Sequence, residues 1–196
     1  MYTQNDEEDF ILAHFEGKPP GRFYDIGAWN GVKFSNVLAL IERDWHGVMV
    51  EPEFESFRAL IGNMAPYINQ VQLVNAAVAI NSSVVPFWSS NGDAVSTLDT
   101  AHRDLWSEAI GGMRKYFIKT MALTELFNAF GPAEFISLDV EGTNLELFKA
   151  LPFHWNELSL IVAEHEGNID EMCQIAAPFG FAKIHTTSEN LILARK

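Results

Sequence analysis

At 196 residues and 48% hydrophobic, the chain is long enough to bury one substantial core. Its size is that of one domain, taken as 1–196 with 1–20 as an N-terminal helix and lead-in. The 26 acidic against 13 basic residues give a formal charge of −13, which opposes nucleic-acid phosphates and anionic membrane faces as partners.

Cys173 is alone and excludes an internal disulfide; it shares an apolar helical face with Ile169, Met172 and Ala176 and reads as a small buried residue. The opening MYTQNDEEDF lacks the basic and apolar regions of a signal peptide, and no apolar run reaches spanning length, so a cytoplasmic location is expected.

In chain order, Asn5 or Asp6 caps an acid-rich first turn leading to Phe10, Ile11, His14 and Phe15, a short helix ended by KPPG at 18–21. Residues 22–26 read as a buried strand, and the glycine loop 27–31 leads into a helix carrying Phe34, Val37, Leu38 and Ile41 at helical spacing. GVMVEP is the next strand, and Phe54, Phe57, Ile61 and Met64 supply the inner face of a second helix. VQLVNAAV is a third strand, and 78–98 reads as a hairpin or irregular excursion with NSS and SNGD as turn signals. Asp99 or Thr100 caps a helix through Leu105, Trp106 and Ile110 that the glycines at 111 and 112 end. KYFIKT is a strand, and LTELFNAF a helix stopped by Gly131 and Pro132. EFISLDVEG restores the parallel pattern, followed by a helix at 143–150, the strand LSLIVAEHE and a helix near 169–177. FAKIHTT and LILAR, joined by SEN, close the chain as antiparallel strands.

This alternation predicts an α/β, Rossmann-like sandwich with a mostly parallel sheet and a C-terminal antiparallel hairpin. In such sheets ligands gather beyond the carboxyl ends of strands, where the strand order reverses. Asp25 with Gly27, Glu51, Asn75 with Ala76, Asp139 with Glu141, and Glu164 occupy those ends. A dinucleotide pyrophosphate prefers G-x-G-x-x-G, because amide donors and a helix N-terminus must meet two phosphates. G-A-W-N-G is one glycine short and stands among carboxylates, which suits a cofactor that lacks phosphate and carries positive charge. S-adenosylmethionine is such a ligand: Asp25 and Asp139 balance its charge, Gly27 admits close backbone approach, and Glu51 accepts the ribose hydroxyls. Methyl transfer needs alignment and a proton acceptor, for which Asp139 is the first candidate and Glu164 and His165 the next. His14, His46, His102, His154 and His185 read as structural or solvated, and without a compact ligand motif no metal site is assigned.

YDIGAWNG, GVMVEP, LVNAAV, STLD and ISLDVEG, in that order over about 22–166, resemble the FkbM-type S-adenosylmethionine-dependent methyltransferases. The resemblance implies that Asp25 and Gly27 belong to the cofactor loop, that Glu51 contacts the ribose, and that Asn75 and Ala76 lie beside the adenine. It further implies that Ser96 and Thr97 line the site, that Asp139 and Glu141 stand near the reactive methyl, and that the reaction is O-methylation of a hydroxyl on a sugar or other small metabolite. Trp29 departs from the small or polar residue usual in such loops, and the short chain leaves little room for a capping domain. A nicotinamide-dependent oxidoreductase and a cofactor-binding protein without turnover are the other readings. The glycine pattern and the LDVEG strand end argue against the first.

Overall fold

The computed structural model describes residues 1–109 and 111–196, so Ile110 of the expected fourth helix lies outside the described residues. After α1 (Glu7–Phe15), the chain enters a seven-stranded sheet through β1 (Arg22–Ile26). α2 (Leu38–Ile41), β2 (His46–Val50), α3 (Phe54–Met64) and β3 (Val71–Val74) build outward on one side of β1. β4 (Ala77–Ala79), β5 (Val84–Ser89), α4 (Thr100–Ser107), β6 (Arg114–Ala122) and α5 (Leu123–Phe130) form an excursion before the chain returns as β7 (Phe135–Leu138) on the other side of β1. α6 (Asn144–Lys149), β8 (Leu160–Glu164), α7 (Ile169–Ala176), β9 (Phe181–Thr186) and β10 (Asn190–Arg195) follow.

The sheet order is β3-β2-β1-β7-β8-β10-β9, with β3 to β8 parallel and β10 antiparallel to both its neighbours. Strand order therefore reverses between β1 and β7. Side chains alternate across the sheet: Tyr24, Ile26, Val48 and Val50 enter a core with α5, α6 and α7, whereas Phe23 and Met49 enter one with α1, α2 and α3. Apolar residues on both faces make these strands continuous hydrophobic runs. Among the described residues no helix is long and apolar enough to cross a membrane.

Three expectations are corrected. The helix after the first loop begins only at Leu38, because the Asn30 side chain accepts the Val32 and Lys33 amides and the Ser35 hydroxyl accepts those of Val37 and Leu38. Phe34, expected on its inner face, is 44% exposed. In α3 the buried stripe is Ser56, Leu60 and Met64, and Phe54 and Ile61 face outward. VQLVNAAV breaks at Asn75 and Ala76 into β3 of the main sheet and β4 of a second, three-stranded sheet. Of the two readings of 78–98 the irregular excursion holds: β5 bridges locally to Thr97 through Trp88 and otherwise pairs with β6, Val84 opposite Lys119 and Ser89 opposite Arg114.

Candidate functional site

Beyond the carboxyl ends of β1, β2, β7 and β8 lies a cavity of about 1000 Å³, roofed by the 93–99 segment and α4. The sheet sets its floor. Gly27 follows β1 with φ of 94°, and a Cβ there would stand 1.5 Å from the Asp139 carbonyl oxygen. Glycine is therefore demanded by the approach of two strand ends, not by a ligand. Asp25 is close enough for its charge to help raise Asp139, after larger contributions from burial, Glu164 and Glu141.

Asp25 is buried at the end of β1, where desolvation pushes its carboxyl up to about 7 against a hydrogen bond from Ser137. Asn36 Nδ2 donates to the same Ser137 hydroxyl. Glu51, also buried, is pushed up to about 8 by desolvation. One of its oxygens accepts the Trp29 amide at 2.9 Å and the other the Glu53 amide at 2.7 Å. The carboxyl thus ties the β1 loop to the start of α3. Asn75 does not line the cavity; its Nδ2 donates to the Glu51 and Pro52 carbonyls and holds that loop from behind. Ala76 does line it.

A second group of acids meets at β7 and β8. Asp139, Glu141 and Glu164 each bring a carboxylate oxygen within 4.8 Å of the others. Desolvation first, then repulsion from Glu164 and Glu141, holds Asp139 well above the usual carboxylate range; Glu164 rises to about 7 through desolvation and repulsion from Glu141, against a hydrogen bond with Asp139. Asn144 donates to Glu164 at 2.5 Å while its Oδ1 accepts the Val140 amide. Asp139 Oδ1 is shut from solvent with no hydrogen-bond partner among the described residues. An orphaned acceptor among desolvated acids is the electrostatic complement of a cation.

Thr97 and Ser96 reach the cavity through different networks. The Thr97 hydroxyl donates to the Glu141 carbonyl at 2.5 Å, and the Ser96 hydroxyl accepts the Ser90 amide at 3.0 Å. His165, expected beside the reacting centre, is off the cavity: its Nδ1 accepts the Gly167 amide, and its Nε2 stands 3.4 Å from the Thr187 carbonyl. The strand-end position turns its ring toward the β9–β10 turn. His102 takes the place at the cavity wall, with Nε2 2.8 Å from Glu141 Oε2. Its one local signal is Asp99, which accepts the His102 amide as the cap of α4 and so fixes where the residue falls in the first turn. Trp29, with φ of 45°, donates its indole N–H to the Gly92 carbonyl and lines the mouth with Phe34.

Solved structures give the fold its relatives. A methyltransferase FkbM from Methylobacillus flagellatus KT aligns with 98% of this chain and 56% of its own length at 10% identity and a TM-score of 0.58. This chain thus spans little more than half of that protein. A precorrin-6y C5,15-methyltransferase from Geobacter metallireducens GS-15 aligns over 100% of this chain and 90% of its own at 11% identity and a TM-score of 0.56. The C-terminal domain of the precorrin-6Y C5,15-methyltransferase from Rhodobacter capsulatus does so over 95% and 85% at 13% identity and 0.51. No curated protein matches the sequence. At these identities the likeness is one of fold, a Rossmann-like methyltransferase sandwich. The sequence itself carries the methyltransferase FkbM domain over residues 25–187, a family and fold that imply use of S-adenosylmethionine. Because that match takes in the strand ends and the loops that enclose the acidic cavity, the chain belongs to the FkbM methyltransferase family.

Proposed function

We propose that the protein transfers a methyl group from S-adenosylmethionine to a hydroxyl oxygen of a small metabolite, a sugar or a similar polyol. The observation that carries this reading is the set of desolvated carboxyls, Asp25, Glu51 and Asp139, around one cavity with an orphaned acidic oxygen. Their burial disfavours ionisation until a cation arrives, which a sulfonium and an ammonium supply and a dinucleotide pyrophosphate does not. Asp25 and Asp139 would hold the methionine end, Glu51 the ribose, and Ala76 the adenine side. Bound there, the cofactor supplies an electrophilic methyl on a sulfur leaving group.

The chain's own residues orient the acceptor, exclude water and receive its proton. Leu105 and Trp106 stand exposed at the mouth and offer an apolar face against which sugar C–H groups pack. The fold alone does not choose oxygen, since methyltransferases named for positions C5 and C15 share it. The choice of a hydroxyl rests on the family resemblance and on the carboxylates available to take a proton.

Calorimetry with S-adenosylmethionine, S-adenosylhomocysteine and NADH tests the first part, with binding of the first two and none of the third expected. Incubation with hydroxylated acceptors, read as S-adenosylhomocysteine and a methyl ether formed in equal amounts, tests the second. Heat with NADH alone would replace this reading with that of an oxidoreductase, and cofactor binding with no product from any acceptor would favour a protein that binds without turnover.

A further inference from the structure

We propose that the proton leaving the acceptor hydroxyl goes to Glu141, and that His102 positions the Glu141 carboxylate to receive it. This rests on the methyltransferase reading above. Glu141 lies just beyond β7 in the left-handed region, with φ of 54°, a conformation uncommon for a residue with a side chain. Two contacts hold it there: its carbonyl accepts the Thr97 hydroxyl, and its Oε2 meets His102 Nε2. Strain at a cavity-lining acid, maintained by its surroundings, is the signature of a positioned group.

Apart from His102, the charged groups around the Glu141 carboxylate among the described residues are acids. Glu164 and Asp139 stand within 4.8 Å of it, and Glu166 accepts the adjoining Gly142 amide at 2.6 Å. Unopposed, their repulsion would swing the Glu141 carboxylate toward solvent and away from the acceptor. His102 Nε2–H, approaching from α4, supplies the opposing attraction and fixes one carboxylate oxygen. The other oxygen is left to accept a proton. Trp106 Nε1 lies 3.1 Å from the same imidazole nitrogen and can donate to it only in the tautomer that releases Glu141; Nδ1 is buried with no partner among the described residues, so the proton lost on titration is that of Nδ1 and Nε2–H stays on Glu141.

The placement of His102 is built into the fold. Asp99 accepts its amide, and a Cβ on Gly142, which has φ of 97°, would stand 2.7 Å from Asp99 Cβ and 3.1 Å from His102 Cβ. The first turn of α4 therefore docks on the 139–142 loop as closely as a glycine allows. Transfer to the hydroxyl replaces its O–H bond with an O–C bond, the electron pair of the broken C–S bond stays on sulfur, and the released proton neutralises Glu141. No other reactant is needed.

The charged groups that face His102 are Glu141 after β7, Glu164 on β8, Glu166 beyond it, and Asp99 at the start of its own helix. The hydrogen bond and charge of Glu141 raise the imidazole above its ordinary range, outweighing its burial. A charged imidazole competes with the acceptor's proton for the carboxylate, so turnover should rise with pH as His102 loses its charge. Carbon and proton NMR of the His102 ring and the pH dependence of kcat test the pair together.

In the parent, the ring should titrate above the ordinary value of about 6.5, and the acidic limb of kcat should coincide with it. Glu141→Gln should lower the ring's midpoint and reduce kcat by about 100-fold or more, with S-adenosylmethionine still bound in the calorimeter. His102→Ala should reduce kcat about 10- to 100-fold with KM for the acceptor changed little, and His102→Gln, whose amide can still donate, should recover part of it. In both His102 variants the acidic limb seen in the parent should be lost, the group that sets it being gone. A ring midpoint that Glu141→Gln leaves unmoved, or an acidic limb that stays in place in His102→Gln, would overturn the pairing. Loss of cofactor binding in the parent would overturn the methyltransferase reading instead.

Discussion

Gly27 and Glu51 hold the cavity floor by opposite means, one through the absence of a side chain and the other through a buried one. A methyl on Gly27 would overlap the Asp139 carbonyl and force a left-handed φ on a residue with a Cβ. Gly27→Ala should therefore lose at least about 3 kcal/mol in denaturant unfolding. A loss under about 1 kcal/mol would mean the strand ends part easily. Glu51 adds a test with a pH dependence. Its two oxygens accept the Trp29 and Glu53 amides, so Glu51→Ala strands two donors and should cost about 1 to 3 kcal/mol at pH 6. The cost should shrink by pH 9, because the parent's carboxyl, pushed up to about 8, is by then an ionised group in a desolvated place. A cost that stays constant or grows would mean that Glu51 keeps its charge throughout. Cofactor affinity should fall in the same variant by roughly 10- to 150-fold if both ribose hydroxyls lean on this acid.

Helix α4 and the 139–142 loop act as one element, and Gly142 is where they touch. Gly142→Ala would push Asp99 and His102 away from Glu141. A misplacement of this size can cost about 100-fold in rate, so kcat should drop 10- to 100-fold while calorimetry finds the cofactor bound within about 3-fold of the parent. Unchanged kcat would detach α4 from the chemistry.

The strands that frame this element were legible because RFYDI, GVMV, FISL and LIVAE are short apolar runs, each closed by an acid or a glycine loop. The acids at their ends were legible for the same reason: a parallel sheet sends all those ends to one edge. Less could be read where side chains compete with the backbone. Asn30 and Ser35 capture amides that periodicity alone assigns to a helix, and Phe34 leaves the core with them. In α3 the buried Glu53, which accepts the Ser56 amide and the Ser89 hydroxyl, turns the helix so that Ser56 and Leu60 face inward where Phe54 and Ile61 were expected. The pairing of β5 with β6 spans the whole of α4 and has no local pattern. His102 acquires its partner only when α4 docks, so no spacing in the chain marks it, whereas His165, beside a strand-end acid, looked better placed and is turned away.

For the whole molecule, the buried acids set the pH dependence of both folding and binding. Asp25 and Glu164 titrate at about 7 and Glu51 at about 8 in the folded state, and Asp139 is raised as well. In the unfolded chain such carboxyls titrate near 4. Between those limits the folded state holds more protons than the unfolded one, so stability falls as pH rises. The protons contribute fully below about pH 4 and their contribution is gone once the folded pKa values are passed. His102, raised by Glu141, acts in the same direction. Glu7, lowered by hydrogen bonds from Asn190 and Asn5, acts oppositely, but only as pH falls below the ordinary carboxylate range. The ligand-free protein should therefore melt at least about 5 °C lower at pH 9 than at pH 6, where a chain with ordinary carboxyls would change little. A cationic cofactor reverses the preference, because it favours the ionised acids. Its affinity should rise from pH 6 to pH 9, and at pH 7 the binding heat should differ between buffers of high and low ionisation enthalpy by the protons released. By about pH 9.5 release from the acids should have ended, the acids being ionised before the ligand arrives, and what buffer dependence remains should be proton uptake by the ligand's own amino group. A melting temperature that rises from pH 6 to pH 9, or binding that releases no proton at pH 7, would mean that Asp25, Glu51 and Asp139 already carry their charge in the free protein, and the electrostatic basis for a cation in this cavity would be lost.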